Sequence, residues 1–196
     1  MRSVRITMLV EIALTIALSA VLSLPALRLP FNIAGGSISF AMLPILVLAL
    51  RRGVIPGVIA GIGFGAIDYL LEPYFVAYVQ VALDYGVAFA AVGLAGLGSP
   101  FYKRALGSSP WIAFAVSVPW MLLGGLARFA AAWTSGVVFF GANAPAGQPV
   151  WLYSVIYNLG YIVPSMILCV VGASLVLPAL ERAVPSSGVK MAASTS

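Results

Sequence analysis

The stretch LYSVIYNLGYIVPSMILCVVGASLVLPAL, from Leu152 to Leu180, contains no Asp, Glu, Lys or Arg. A helix crosses a bilayer with about 20 mostly apolar residues, so this run spans with length left for tilt or projection. Working back toward the N-terminus, five more apolar runs appear. They lie at about Ile6 to Leu27, Ile38 to Leu50, Val54 to Leu71, Phe75 to Leu97 and Trp111 to Trp133. The second is short, and Pro44 interrupts it. The expected fold is all-α: a polytopic membrane protein with six transmembrane helices, forming one membrane domain over residues 1–183.

Composition agrees. Of 196 residues, 62% are apolar and 8% are Asp, Glu, Lys or Arg, against roughly 25% charged in a soluble domain. This excludes a cytosolic enzyme, a disordered chain and a basic nucleic-acid binder, and leaves the lipid bilayer as the chain's surroundings. There is no histidine, which removes His-based acid–base catalysis, catalytic triads and His-ligated metals. The single cysteine, Cys169, lies in an apolar run and reads as a buried, inert thiol. No G-x-x-x-x-G-K-[ST] phosphate loop is present, so the chain has no such route to ATP hydrolysis. No internal repeat of the kind found in many secondary transporters is visible. No metal or cofactor is expected.

Arginine and lysine set the orientation. With the N-terminus cytoplasmic, that side holds Arg2, Arg5, Arg51, Arg52, Lys103, Arg104, Arg182 and Lys190, while the other holds Arg28 and Arg128. Both termini are therefore expected in the cytoplasm. The segment 184–196 is small and polar and is expected to be a disordered cytoplasmic tail. Arg2 and Arg5 before an apolar run, with Ser23-Leu24-Pro25-Ala26 after it, resemble a signal peptide. The run is longer than an ordinary h-region, and it is read as a retained span. Two long Gly/Pro-containing connections, Arg28 to Ser37 and Thr134 to Trp151, fall on the outer side, where binding loops or plain connectors occur.

Ionisable groups inside spans are costly, and they mark function by default. Glu181 lies at the inner boundary, where water can reach it. Asp68 and Glu72 sit at the outer end of the third span. Glu11 can snorkel or pair with nearby basic residues. Asp84 lies deep in the fourth span, one turn after Gln80. It pairs structurally with Arg128 or receives a cationic ligand from the outer side. The sixth span places Tyr153, Tyr157 and Tyr161 along one face, with Ser154 and Asn158 beside them. Trp133, Phe139, Phe140 and Trp151 flank the loop before it. An interfacial aromatic belt accounts for Trp111, Trp120 and Trp151; it accounts poorly for Asn158, whose amide must find partners at depth. One carboxylate, one amide and several aromatic faces suit an aromatic cation. Small residues, Ala13 and Ala17 in the first span and Gly57, Gly61 and Gly65 in the third, are spaced for close helix approach.

In order and spacing, several segments resemble one family over nearly the whole chain. They are Glu11-Ile12-Ala13, Leu43-Pro44-Ile45, Leu50-Arg51-Arg52-Gly53, Leu83-Asp84-Tyr85, Gly93-Leu94-Ala95-Gly96-Leu97, Ser135-Gly136-Val137, Tyr153-Ser154 and Tyr157-Asn158. The chain resembles the substrate-binding (S) component of energy-coupling factor vitamin transporters, most closely the thiamine-specific member. The resemblance implies six helices with both termini inside, in a prokaryotic cell membrane. It implies thiamine bound near the outer face, under the loop between spans one and two. The acidic-Tyr pair of the family corresponds to Asp84-Tyr85, with Asp where the family has Glu. Asn158 corresponds to the residue that pairs with the aminopyrimidine, Tyr74 and Tyr153 to aromatic or hydroxyl contacts, and Gly136 to a close backbone approach. A stacking Trp of the family falls on Phe140. Other family aromatics fall on Gly35 and Pro145, and Trp133 and Trp151 are expected to compensate.

The resemblance also implies partners: a transmembrane coupling protein and two ABC-type ATPases, which hydrolyse the ATP. The Ala13 and Ala17 face corresponds to the docking surface. Arg128 either binds a phosphate of a thiamine phosphate or neutralises Asp84, and the second reading is preferred. An S component for another vitamin or for a precursor such as hydroxymethylpyrimidine is the alternative. An intramembrane enzyme lacks a convergent acid–base set here, and a channel would carry polar residues along a whole pore.

Overall fold

The computed structural model of the chain describes residues 2–32 and 35–185; the expected tail lies outside the described residues from residue 186 on. Helix α1 runs over Arg2–Leu22, followed by a hairpin of β1 (Leu29–Asn32) and β2 (Gly35–Ile38). Helices α2 (Leu43–Arg52), α3 (Val54–Leu71), α4 (Tyr78–Leu106), α5 (Pro110–Phe139) and α6 (Val150–Ala183) follow. Four of these, α3 to α6, are long and apolar enough to cross a membrane, and the apolar part of α1, Ile6–Leu22, is shorter. Leu122, Leu126, Ile156, Ile167 and Leu175 lie exposed on α5 and α6, as lipid-facing side chains do. The chain is a multi-pass helical membrane protein.

Several local expectations change. The first helix ends at Leu22 rather than Leu27, where the Ser23 hydroxyl turns back to the Ala20 carbonyl at 2.9 Å and Pro25 follows. The connection expected as an open loop is an antiparallel ribbon pairing Leu29 with Ile38, Pro30 with Ser37 and Asn32 with Gly35, so the fold is not purely helical. Pro30 is tolerated because a two-stranded ribbon has only edge strands. Pro44 does not interrupt the second helix. It sits in the first turn of α2, where a missing N–H costs nothing. Gly53, at φ +96°, makes the single-residue turn from α2 into α3.

Helix α2 is the centre of the bundle. Ile45, Leu46, Ala49 and Leu50 are fully buried among the other helices. Alongside it, the α3 glycines seat directly on α4. A Cβ at Gly57 would stand 3.0 Å from the Gly93 Cα, one at Gly61 2.6 Å from the Phe89 carbonyl carbon, and one at Gly65 2.7 Å from the Tyr85 carbonyl carbon. The glycine spacing read from the sequence is thus a backbone-to-backbone contact. Helix α4 is not regular: Ala82–Val87, which includes Asp84 and Tyr85, forms a π-helical turn, and Gly93–Gly98 a 3₁₀ segment. A π-turn inserts an extra residue and re-aims its side chains, and such turns concentrate at functional sites.

One end of the bundle is tied by charge. Arg51 Nε meets Glu181 Oε1 at 2.8 Å, Tyr102 donates its hydroxyl to the same oxygen at 3.2 Å, and Arg51 also donates to the Val184 carbonyl. Glu181 is 5% exposed, so it is buried and paired rather than solvated at a helix boundary. Beside it, Arg52 grips Glu11 with Nε and Nη2, at 2.5 and 2.6 Å, as expected of a snorkelling or paired acid. Together these pairs fasten α1, α2, α4 and α6. Removing one partner of a buried pair leaves an uncompensated charge and costs about 3–5 kcal/mol. Glu181→Leu is therefore expected to lower thermal stability in detergent by that order, with Glu11→Leu, whose pair is more exposed, costing less. Equal melting of both variants and the parent protein would show that the cluster does not hold the helices.

Candidate functional site

At the end of the bundle opposite that charged cluster, a cavity of ≈ 620 Å³ opens between the hairpin and α3 to α6. The helix phases explain its walls. From α5 come Arg128, Ala132, Gly136 and, at its C-cap, Phe140, one every four residues, which is one face of a helix. The α6 wall is Tyr153, Ser154, Tyr157, Asn158 and Tyr161. On α4, Gln80, Asp84, Tyr85 and Phe89 face it, and α3 ends in Asp68 and Glu72. Arg28, Pro30, Gly36 and Ser37 cover it from the hairpin side.

The aromatic wall is continuous. Tyr153 stacks on Tyr157 (centroids 6.0 Å apart, 27° between planes), and Tyr157 meets Tyr161 edge-on at 5.8 Å. Phe31 of β1 lies 6.1 Å from Tyr157 and 6.2 Å from Tyr161, so the ribbon rests on that wall. Gly36, at φ +76°, closes the contact: a Cβ there would stand 2.9 Å from the Tyr161 ring. Opposite, Tyr74 stacks on Phe140 at 5.8 Å and 30°.

The polar groups are few. Asn158 is 4% exposed and finds its hydrogen bonds within its own helix and the next. Its Nδ2 donates to the Ser154 carbonyl at 2.9 Å and to Ser154 Oγ at 3.2 Å, with the Ala132 carbonyl of α5 at 3.5 Å, while its Oδ1 accepts from Tyr161 at 2.8 Å. Both amide N–H groups are thus engaged, and the second lone pair of Oδ1 is the acceptor left for a ligand donor. Gly136 is what lets α5 come this close, since a Cβ there would stand 3.1 Å from the Ser154 Cβ and 3.3 Å from Asn158 Nδ2. Asp84 accepts from Gln80 Nε2 at 2.7 Å. The Tyr85 hydroxyl donates to the Glu72 carbonyl at 3.1 Å, and the Glu72 carboxylate pairs with Arg28 beneath the hairpin.

Of the residues expected at a binding site, Asp84, Tyr85, Asn158, Tyr153, Phe140, Tyr74 and Gly136 are brought together on this cavity. Trp133 and Trp151 are not among its lining residues. The Trp133 indole donates to the Trp151 carbonyl at 3.2 Å, and Trp151 is exposed, so neither replaces the aromatics missing at Gly35 and Pro145. Asp84 and Arg128 form no ion pair among the described residues. Arg128 lies over the Phe89 ring, 4.4 Å from its centroid, as a cation–π contact. Asp68, Glu72 and Arg28 are not singled out for the site by the sequence. Asp68 and Glu72 sit one turn apart on the last turn of α3, and that i, i+4 spacing is the signal that could have placed both on one face.

These features define a multi-pass membrane protein that is fastened at one end and holds a ligand-sized cavity with aromatic and acidic walls at the other. The thiamine transporter protein family (Thia_YuaJ) matches residues 9–184, and the chain belongs to that family. It is 36% identical over 187 residues to the thiamine transporter ThiT of Bacillus subtilis (strain 168), covering 94% of this chain and 97% of that one. It is 36% identical over 145 residues to the thiamine transporter ThiT of Lacticaseibacillus paracasei, covering 71% and 72%. A solved structure of ThiT from Listeria monocytogenes matches with a TM-score of 0.81 at 27% identity, covering 91% of this chain and 97% of that one.

Gly136 carries a prediction. Gly136→Val would force α6 away from α5 and separate Ser154 and Asn158 from the Ala132 side of the cavity. A loss of about 1–3 kcal/mol or more of stability is expected, read as a lower melting midpoint in detergent. An unchanged midpoint would mean that the close approach is not required.

Proposed function

We propose that the chain binds thiamine in this cavity and mediates its uptake as the substrate-specific subunit of an energy-coupling factor transporter. The observation that carries the reading is Asp84, a carboxylate re-aimed by a π-turn into an aromatic-walled cavity and held by a neutral amide. Thiamine's thiazolium is a permanent aromatic cation, which a desolvated carboxylate and ring faces attract. Its aminopyrimidine carries an amino donor that the open lone pair of Asn158 Oδ1 can accept, and a ring acceptor that the Asn158 amide can meet by exchanging a bond to Ser154. Tyr74, Tyr85, Tyr153 and Phe140 supply the remaining walls, and Gly136 the room.

In this reading all six helices cross or fill the membrane with both termini cytoplasmic, in the cell membrane of a prokaryote. The positive-inside bias supports it, since Arg51, Arg52, Lys103, Arg104 and Arg182 fall on the connections and ends away from the cavity. The cavity then faces outward, under the hairpin. ATP is hydrolysed by two partner ATPases, and a transmembrane coupling protein joins them to this chain. Ala13 and Ala17 lie exposed on α1 and offer a flat face on which a partner helix can dock.

Thiamine binding by the purified chain, followed by calorimetry because no tryptophan lines the cavity, tests the first part. Asp84→Asn should weaken binding by about 2–5 kcal/mol, as loss of a desolvated charge pair does. Absence of micromolar thiamine binding, with hydroxymethylpyrimidine bound instead, would assign the site to the uncharged precursor. Docking is tested separately. Ala13→Trp with Ala17→Trp should leave thiamine affinity unchanged and abolish uptake in cells that supply the partners. Normal uptake would remove α1 from the docking face.

A further inference from the structure

Gln80 is 1% exposed, in the first turn of α4 and one turn before Asp84. Its amide is shared between two partners. Oε1 accepts from the Val76 N–H at 3.0 Å, and Nε2 donates to Asp84 Oδ2 at 2.7 Å. The two contacts settle the amide's orientation chemically: a backbone N–H can only donate, so it must face the oxygen, which turns the nitrogen to the carboxylate. Val76 lies in the connection between α3 and α4, whose Glu72, Pro73 and Tyr74 make one wall of the cavity. That segment carries Tyr74, stacked on Phe140, and begins at Glu72, which receives the Tyr85 hydroxyl and pairs with Arg28. One buried amide therefore connects the site's carboxylate to its outer wall.

The choice of a neutral partner matters. An Arg or Lys at hydrogen-bond distance would orient Asp84 and also cancel its charge, leaving little attraction for a cation. An amide holds the carboxylate's rotation and leaves the net charge in place. Arg128, the cation that α5 brings to the same cavity, makes no ion pair with Asp84 among the described residues; its guanidinium lies over the Phe89 ring and acts on the carboxylate only through space.

The geometry points to Gln80 as a positioning residue that sets the site's preference for a cationic over a neutral ligand, by tying the Asp84 carboxylate to the connection whose Glu72, Pro73 and Tyr74 wall the cavity. This rests on the reading of the cavity as a thiamine site. It assigns Gln80 no direct ligand contact.

The test compares two ligands of one shape. Thiamine is cationic, and its 3-deaza isostere, with carbon in place of the ring nitrogen, is neutral. Dissociation constants for both are measured by calorimetry on the full chain, on Gln80→Met, on Gln80→Asn and on Asp84→Asn. The parent protein should prefer thiamine. Gln80→Met should weaken thiamine by roughly ten- to a hundredfold, the loss of a hydrogen bond to a charged group, and the isostere by less than about threefold, so that the preference collapses. Gln80→Asn keeps the amide but is one methylene too short to span both partners, and should do the same with little change in melting. In an Asp84→Asn background, Gln80→Met should leave the ratio of the two constants unchanged. An equal loss for both ligands, or an intact ratio in both Gln80 variants, would make Gln80 a structural residue only and overturn the assignment. A parent protein with no preference for thiamine would instead overturn the cation reading of the site, and the Gln80 assignment with it.

Discussion

Three glycines on one face of α3, Gly57, Gly61 and Gly65, let its backbone lie directly on that of α4 at Gly93, Phe89 and Tyr85. In a bilayer there is no hydrophobic drive between helices, so association rests on close packing of this kind. The rest of the site depends on that seat. The α4 backbone is drawn against α3 at Tyr85, within the π-turn Ala82–Val87 that also carries Asp84. The same contact brings Tyr85 to Glu72, and Glu72 to Arg28 under the hairpin. A side chain at Gly61 or Gly65 would push α4 outward and remove the wall on which the carboxylate stands.

Charge is divided between the two ends of the bundle by function. At one end, Arg51 with Glu181 and Arg52 with Glu11 use complete ion pairs, in which each charge is cancelled and the groups serve as ties. At the other, Glu72 is likewise paired with Arg28, but Asp84 accepts a hydrogen bond from a neutral amide and has no ion pair among the described residues, with Arg128 lying over a ring. A cancelled charge holds helices; an uncancelled one, kept out of water beside aromatic faces, holds a cation. The same chain thus treats its scarce acids in two opposite ways.

Much of this was legible in the sequence, and the failures have physical causes. The third helix was bounded correctly at Val54 and Leu71 because Gly53 and Glu72 punctuate an unbroken apolar run. The cavity residues of α6 followed from helical spacing alone. Trp133 was misplaced because it falls one residue, about 100° of helix rotation, off the stripe of Ala132 and Gly136 that faces the cavity. Glu181 was read as solvated because its partner Arg51 lies far away in sequence, and only tertiary packing brings the two together. Arg128 and Asp84 share the cavity without a direct ion pair among the described residues, because the guanidinium lies over the Phe89 ring, and a cation–π contact has no signature in a charge count. The hairpin was hidden because a Gly- and Pro-containing stretch between helices reads the same whether it is open or paired.

The central claim is that the Asp84 carboxylate and Asn158 amide fix the two ends of one ligand. It is tested most directly by a structure of the chain with thiamine bound. The account predicts the thiazolium beside Asp84 and between the Tyr and Phe140 walls, with the aminopyrimidine hydrogen-bonded to Asn158. Thiamine in the reverse orientation, or bound away from Asp84, would contradict it.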